Sequence, residues 1–448
     1  MPVRDAFDPI HVRALACLLG VIVCKDLITV DVTFSFIAHP AQFHLSFIDG
    51  FPRLLPTAAA YWFLAVVTVL SFVAALRMSS GSRRAALWLT LLYGGVLLSD
   101  ALMYATNLYL LVLLLGVCCL APLTAASASW PPWPPWPPWP RCIGQLTVSA
   151  VYLGAGASKL DPEFLSGRVL EAVLYFDSYY PRLIGWHSPT GFRVLSWLTA
   201  LTELGLAFAL WHPRTVRYAL IVGVAFHSAI ATFIPVRIFS LLMMASYVLF
   251  LPASQLQRAE AWFAQRISPI WRAPLCVVAA LALYLLDPFA KTRITGIVEV
   301  AIALGLNELW RRRSATRAVQ PRPPRISRRV GPVLVACYAA FQAFTIIKPW
   351  IGFSKFCSWQ MFSEVLMMTV DTEVLQEGGW SKTVLANASP RWRSTRPRHY
   401  WSSLSEERFY LQGYQRWLAR QNQPGQVRLS VHYSLFHARP KQLVIGPD

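Results

Sequence analysis

Residues 193–235 read RVLSWLTALTELGLAFALW, then HPRTV, then RYALIVGVAFHSAIATFIP, and this stretch decides the fold. Two runs of nineteen residues, 193–211 and 217–235, stay apolar along their length and are parted by a break that holds Arg214. About twenty apolar residues in a helix cross a hydrocarbon core of about 30 Å. Lipid offers no water to backbone amides and carbonyls, so a spanning segment is either a helix or part of a closed barrel. Neither run alternates with a two-residue period, and both therefore read as membrane helices.

The same pattern repeats on both sides. Further apolar runs lie near 13–30, 58–76, 86–103, 107–123, 143–160, 238–253, 273–288, 294–309 and 330–347. The runs at 86–103 and 107–123 suit a tight hairpin, and only Pro235-Val236-Arg237 parts 217–235 from 238–253. Counts from nine to eleven helices follow. Composition agrees, with 55% hydrophobic and 14% charged residues, where soluble domains carry about 25% charged. The expected fold is an all-α polytopic membrane bundle. Its first run ends on Lys25-Asp26 rather than a small-residue cleavage site, and reads as a retained helix.

The net charge of +19 would suggest nucleic acid in a soluble chain, but the basic residues collect in the breaks. Arg77, Arg83 and Arg84 follow the second run; Arg214 and Arg217 follow the sixth; Arg258, Arg266 and Arg272 follow the eighth. The loop 311–329 holds eight arginines and no acid. With eleven segments all four loops fall on one side, which the positive-inside rule assigns to the cytoplasm. The N-terminus is then inside, the C-terminal hundred residues outside, and the molecule an integral protein of the cell membrane with the lipid bilayer as its partner. No nucleic-acid partner is indicated.

Other segments are read as follows. WPPWPPWPPWP at 130–140 is an extended interfacial spacer. Residues 161–192 are too polar to span and read as an interfacial amphipathic helix and loop. Past Trp350 the chain turns soluble: 366–375 and 428–436 look like strands, and Ser403-Leu-Ser-Glu406 is a capping box for a helix to about Arg420. The expected division is a bundle over 1–255, further helices over 256–349, and a small extracytoplasmic α+β domain over 350–448. Six of the eight cysteines fall inside apolar runs and no CxxC pair occurs, so no metal site or disulfide framework is expected. His39 and His44 form no motif.

Ionisable residues inside membrane spans need partners or a purpose. Lys159, Glu203 and His227 stand out. Gln145, Ser149, Tyr152, Gly156 and Lys159 recur at helical spacing along one face, with Gly154 and Gly156 allowing close backbone approach. Lys159 then either belongs to a packed interior face or snorkels to the outer interface beside Asp161. Glu203 and His227 sit mid-segment in consecutive helices and are expected partners for each other, as a functional pair or as a structural hydrogen bond. The three share one cavity at most, since direct contact among them needs a tilt or a re-entrant loop.

The run VYLGAGASKLDPEFLSG at 151–167 resembles the element of the horizontally transferred transmembrane (HTTM) family in which an aromatic residue and glycine lead to Lys-Leu. Asp49-Gly50, Asn107-Leu-Tyr-Leu, Thr202-Glu-Leu-Gly-Leu, Phe226-His227, Phe239-Ser240 and Trp359-Gln-Met-Phe-Ser363 follow in the family's order. That family includes the vitamin K-dependent γ-glutamyl carboxylase. The resemblance implies a carboxylase-like lyase in which Lys159 is the base for reduced vitamin K or another quinol, with a peptide or secreted protein as further substrate. Burial disfavours the charged form of an amine, which suits a lysine to that role. One position departs: the carboxylase carries a functional histidine after the Asn of its fourth segment, and Leu108 stands here. Lys159, Glu203 and His227 are thus the candidate catalytic residues. The alternative is a non-catalytic membrane protein for transport, maturation or interaction.

Overall fold

The computed structural model describes residues 10–11, 14–16, 18–20, 22, 81–99, 106–120, 139–176, 188–234, 236, 238–266, 325–351, 358–359, 366–376, 379–382, 398–400, 404–421, 427–435 and 441–446. The runs expected at 58–76, 273–288 and 294–309, Lys25-Asp26, His39, His44, Asp49-Gly50 and most of the Trp-Pro tract lie outside the described residues, as does 311–324 of the arginine-rich loop.

The helices are α1 (Gly81–Ser99), α2 (Thr106–Leu120), α3 (Trp139–Ser158), α4 (Pro162–Leu165), α5 (Arg168–Phe176), α6 (Pro189–Ala209) and α7 (Val216–Phe233). They continue with α8 (Phe239–Ser246), a 3-10 turn (Tyr247–Phe250), α9 (Ala253–Arg266) and α10 (Arg325–Ile347). Among the described residues, three helices are long and apolar enough to cross a membrane: Pro189–Ala209, Val216–Phe233 and Gly331–Ile351. Phe239–Phe250 and Ala253–Ala259 add a fourth if that pair, bent by 114°, is one span. The helix starts have local causes. Ser188 accepts a hydrogen bond from the Gly191 amide at 3.0 Å with Pro189 in the first position of α6; Asp161 does the same for Glu163 at 2.8 Å ahead of Pro162 in α4.

Among the described helices, α3 is the central one. It runs parallel to α10, with Gly331 against Trp139, Tyr338 bonded to Thr147 at 2.7 Å, and Ile346 against Gly154. It runs antiparallel to α6. The Trp211 indole donates to Ser149 Oγ at 2.6 Å, Leu204 packs on Gly156, and Glu203 reaches Lys159. The α1–α2 pair forms the expected hairpin: Thr90 meets Cys119 at 3.3 Å and Gly94 faces Val112. Large apolar side chains, among them Leu198, Leu201, Tyr218, Phe341 and Phe344, are exposed on the outer faces of α6, α7 and α10. On a membrane protein these are the faces that lipid covers.

One expected segment differs. The run 238–253 is not a straight helix, because α8 has only eight residues and passes through the 3-10 turn into the bend. Leu249 and Leu251 would leave carbonyls bare there. Arg141 donates to Leu249 at 2.6 Å and to Leu251 at 3.1 Å, Gln145 donates to Leu249 at 2.9 Å, and His11 bonds Leu251 at 2.8 Å. Irregular backbone is tolerated at membrane depth where protein satisfies it, and every residue from 245 to 251 is buried. Gln145, read as part of a polar stripe, is therefore a cap for this bend.

Past α10 the chain forms an antiparallel sheet of β1 (Leu366–Gln376), β2 (Gly379–Lys382), β3 (Arg398–Tyr400), β4 (Val427–Leu435) and β5 (Lys441–Ile445), in the order β2-β1-β4-β5 with β3 also on β1. Helix α11 (Leu404–Gln421) covers one face through Leu411, Tyr414 and Leu418 against Val427, Leu429 and Val431. The expected α+β unit is present, and the helix reaches Gln421, one residue past the expected end. Trp359 does not belong to it. Its fully buried ring stacks on Tyr109 with centroids 5.0 Å apart and its indole donates to Gln342 at 2.9 Å.

A Cβ on Gly154 would sit 2.6 Å from Trp359 Cβ, whereas one on Gly116 meets nothing within 4 Å. Gly154→Ala should lose about 1–3 kcal/mol of stability through overpacking, while Gly116→Ala should not be destabilised. Thermal unfolding of both variants in detergent, followed by tryptophan fluorescence, checks the difference.

Candidate functional site

Lys159 follows the last residue of α3, where its amide still closes on the Gly156 carbonyl at 3.1 Å. Its position is fixed by how closely α3 can approach α6. A Cβ on Gly156 would lie 2.8 Å from Leu204 Cγ and 3.0 Å from the Leu204 amide nitrogen. The bare glycine brings the two backbones together, and Glu203 comes level with Lys159. The Lys159 ammonium donates to both carboxylate oxygens of Glu203, at 2.8 and 3.0 Å, and to the Ala155 carbonyl at 3.3 Å. The two residues are only 4% and 5% exposed, and the ammonium stands 5.8 Å from the centre of the Phe164 ring.

This settles the two positions open for Lys159. It does not snorkel beside Asp161, whose exposed carboxylate caps α4 instead. The barrier to direct contact was the depth of Glu203 inside its helix. Helix α3 removes it by stopping level with Glu203, after which the chain turns through α4 and α5 alongside the first half of α6. Phe164, Val169, Leu170 and Val173 form a buried cluster with Phe192 and Ile234, so the segment read as interfacial packs its apolar side into the bundle.

His227 is buried on α7, and its bonded partner is not Glu203. Tyr152, from the same face of α3 as Lys159, bonds His227 Nε2 at 2.8 Å and also bonds the Tyr247 hydroxyl. The imidazole Nδ1 has no hydrogen-bond partner among the described residues. Phe226 and Phe239 flank the ring edge-on, with centroids at 5.5 and 6.0 Å. The expected Glu203–His227 pairing is therefore corrected, because the stagger of α3 against α6 puts Lys159 beside Glu203 and Tyr152 beside His227. Lys159 and Glu203 form one unit; His227 belongs to a second, with Tyr152 and Tyr247. Tyr247 was missed, and its one signal was a hydroxyl inside an otherwise apolar run.

Only the first unit lines a cavity; His227 stands behind two of its walls, Phe226 and Phe239. A cavity of about 130 Å³ ends on Lys159 and Glu203, and Phe164, Phe226, Ile230 and Phe239 are among its walls. Nearly all of its lining is apolar, so the ammonium–carboxylate pair and the Thr199 hydroxyl are its polar features. Its shape and lining would suit an apolar molecule with a polar group at one end. The pair also contains the elements of acid–base chemistry. Moving one proton from Lys159 to Glu203 leaves an amine and a carboxylic acid, with no change in net charge. No group of three or more His, Cys, Asp or Glu side chains among the described residues is placed to hold a metal ion. Leu108 is packed against the core, and the buried Asn107 side chain accepts from its amide at 2.9 Å. No imidazole is supplied at that position.

The family model for the HTTM domain matches residues 6–254. No curated protein and no solved structure matches the chain.

If Lys159 and Glu203 neutralise each other in the apolar interior, removing one partner strands a buried charge. Lys159→Met and Glu203→Leu should each cost about 3–5 kcal/mol, and the double variant should recover most of that loss. Unfolding in detergent for the four proteins of this cycle measures the coupling.

Proposed function

The chain belongs to the HTTM family, whose model matches more than half of it, and from that premise we propose a carboxylase-like membrane enzyme. The cavity beside Lys159 and Glu203 binds a lipid-soluble quinol-type cosubstrate, and Lys159 is the base that takes its hydroxyl proton. The observation that carries this reading is the bidentate Lys159–Glu203 pair at the end of an apolar cavity.

The chemistry assigned to the residues is short. A buried ammonium that has passed its proton to Glu203 is an amine within hydrogen-bond reach of a ligand in the cavity, as a general base requires. Transfer of the ligand's hydroxyl proton to that amine leaves an ammonium beside the ligand oxyanion while Glu203 keeps its proton, so the net charge of the site does not change. Phe164, Phe226 and Phe239 hold the ligand's flat apolar part and keep water out. The Tyr152–His227–Tyr247 network fixes the ring that Phe226 and Phe239 lean on, and so positions these walls. A bound quinol would supply the acidic hydroxyl and, with oxygen, the reactivity needed to deprotonate a peptide substrate. The fit rests on the apolar lining and the polar pair, and Leu108 contributes no further polar group.

The proposal extends to topology: nine to eleven membrane helices, residues 1–255 as the bundle, 256–349 as added helices, and 350–448 as an extracytoplasmic domain. Parallel α3 and α10 require an odd number of crossings between them. Helices α6 and α7, the bent α8–α9 pair and the two helices expected from the sequence at 273–288 and 294–309 would supply five. Arg141, Arg214 and Arg217 belong to the opposite end of the bundle from Lys159, which suits a cytoplasmic N-terminus. The chain leaves α10 at the Lys159 end, which suits an extracytoplasmic sheet domain that meets a peptide or secreted protein.

A second reading, a non-catalytic membrane protein for maturation, transport or interaction, draws on the same pair, because Lys159 and Glu203 satisfy each other and can simply lock α3 to α6. Turnover separates the readings. With the protein reconstituted in lipid and supplied with vitamin K hydroquinone, labelled bicarbonate and a glutamate peptide, the enzyme reading expects both quinol oxidation and label incorporation. Lys159→Met should lower both by about 100-fold or more. Wild-type inactivity, or equal rates in the variant, would leave the structural reading standing.

A further inference from the structure

The cavity has a mouth, and its position tells how a ligand arrives. Helices α6 and α7 are packed together next to their connecting turn, where Leu206, Ala207, Leu210, Val216, Ala219 and Leu220 are all buried. Towards the other ends of the same two helices the lining changes. Leu195 is 37% exposed, Ala229 is exposed, and Thr199 and Phe233 are half-buried, yet all four line the cavity. Leu195, Thr199 and Glu203 recur every four residues on α6, a step of about 6 Å along the axis, and mark a track from the outer surface to the ion pair. Phe226, Ala229 and Phe233 mark the matching track on α7.

The surface at that mouth is not a watery one. Beside it α6 exposes Val194, Trp197 and Leu198, and both helices are long and apolar enough to cross a membrane. Among the described residues, the charged side chains lining the cavity, Lys159 and Glu203, lie at its inner end.

We propose that the opening between α6 and α7 is a lateral portal from the bilayer, admitting a single-tailed amphiphile with a hydrogen-bonding head. The head lies at Lys159 and Glu203 while the tail lies between Leu195 and Ala229 and stays in lipid. Ala229 is the residue that sets the width of the portal, because a small side chain stands at its exposed edge. Tail length then has little influence on binding, whereas a second or branched tail is rejected. This inference rests on the reading of the cavity as a ligand site.

The test uses the full chain in phosphatidylcholine nanodiscs with an alkylphenol carrying a diazirine on its tail, and maps the labelled residues by mass spectrometry. Wild type should be labelled at Leu195, Ala229 and Phe233, with excess unmodified alkylphenol removing the label. Ala229→Trp should reduce that labelling at least tenfold, and Leu195→Trp does the same work if Ala229→Trp fails to fold. Val333→Trp, on the exposed face of α10, should leave it unchanged. Equal labelling in wild type and in the folded portal variants, or label that excess alkylphenol does not remove, overturns the portal. Lys159→Met separates this from the enzyme reading: labelled portal residues with unchanged quinol turnover would refute Lys159 as base and leave the portal intact.

Discussion

An ammonium and a carboxylate removed from water hold together only if the backbones that carry them cannot drift apart, and this constraint organises the bundle. Gly156 gives α3 its close approach to α6, and Leu204 fills the space that a side chain would have taken. The contact fixes the register at which Trp211 reaches Ser149 and Glu203 reaches Lys159. Everything that borders the cavity is placed relative to that register. Helix α3 stops beside Glu203, Asp161 and Pro162 start the next turn of chain, and Phe164 comes back under the ammonium.

The opposite side of α3 is held with equal care by different means. Thr147, Tyr338, Gln342 and Trp359 form a chain of hydrogen bonds between α3, α10 and the segment that follows α10. At its start, Arg141 and Gln145 close the carbonyls of the broken α8. A helix that meets α6 through an ion pair, α10 through hydroxyl and amide groups, and the α8 bend through a guanidinium has little freedom to slide. Such rigidity suits the acid–base role proposed for the pair, since a proton donor and acceptor displaced by an ångström lose much of their effect.

Much of this was legible in the sequence, and the reasons differ by residue. The apolar runs located α1, α2, α3, α6, α7 and α10 to within a few residues, because hydrocarbon thickness sets a length that composition alone reveals. The C-terminal α+β unit was readable from the change to alternating and charged patterns. Lys159, Glu203 and His227 stood out because charge inside an apolar run is costly. Their partners were not readable. Glu203 was matched to His227 by assuming consecutive helices share depth, whereas the stagger of α3 against α6 gives Glu203 to Lys159, and Tyr152 takes His227. Tyr247 carried no charge to draw attention, and the break at Phe250 reflects burial and side-chain caps from residues more than a hundred positions away, which no local pattern records.

The central claim is that Lys159 and Glu203 are one buried unit at the end of an apolar cavity. An electron cryo-microscopy map of the protein in lipid nanodiscs addresses it most directly. The account predicts continuous density between the Lys159 ammonium and the Glu203 carboxylate at hydrogen-bonding separation, with Phe164, Phe226 and Phe239 around the adjoining space. A Lys159 side chain turned towards Asp161 and the lipid–water interface, with Glu203 bonded elsewhere, would contradict it.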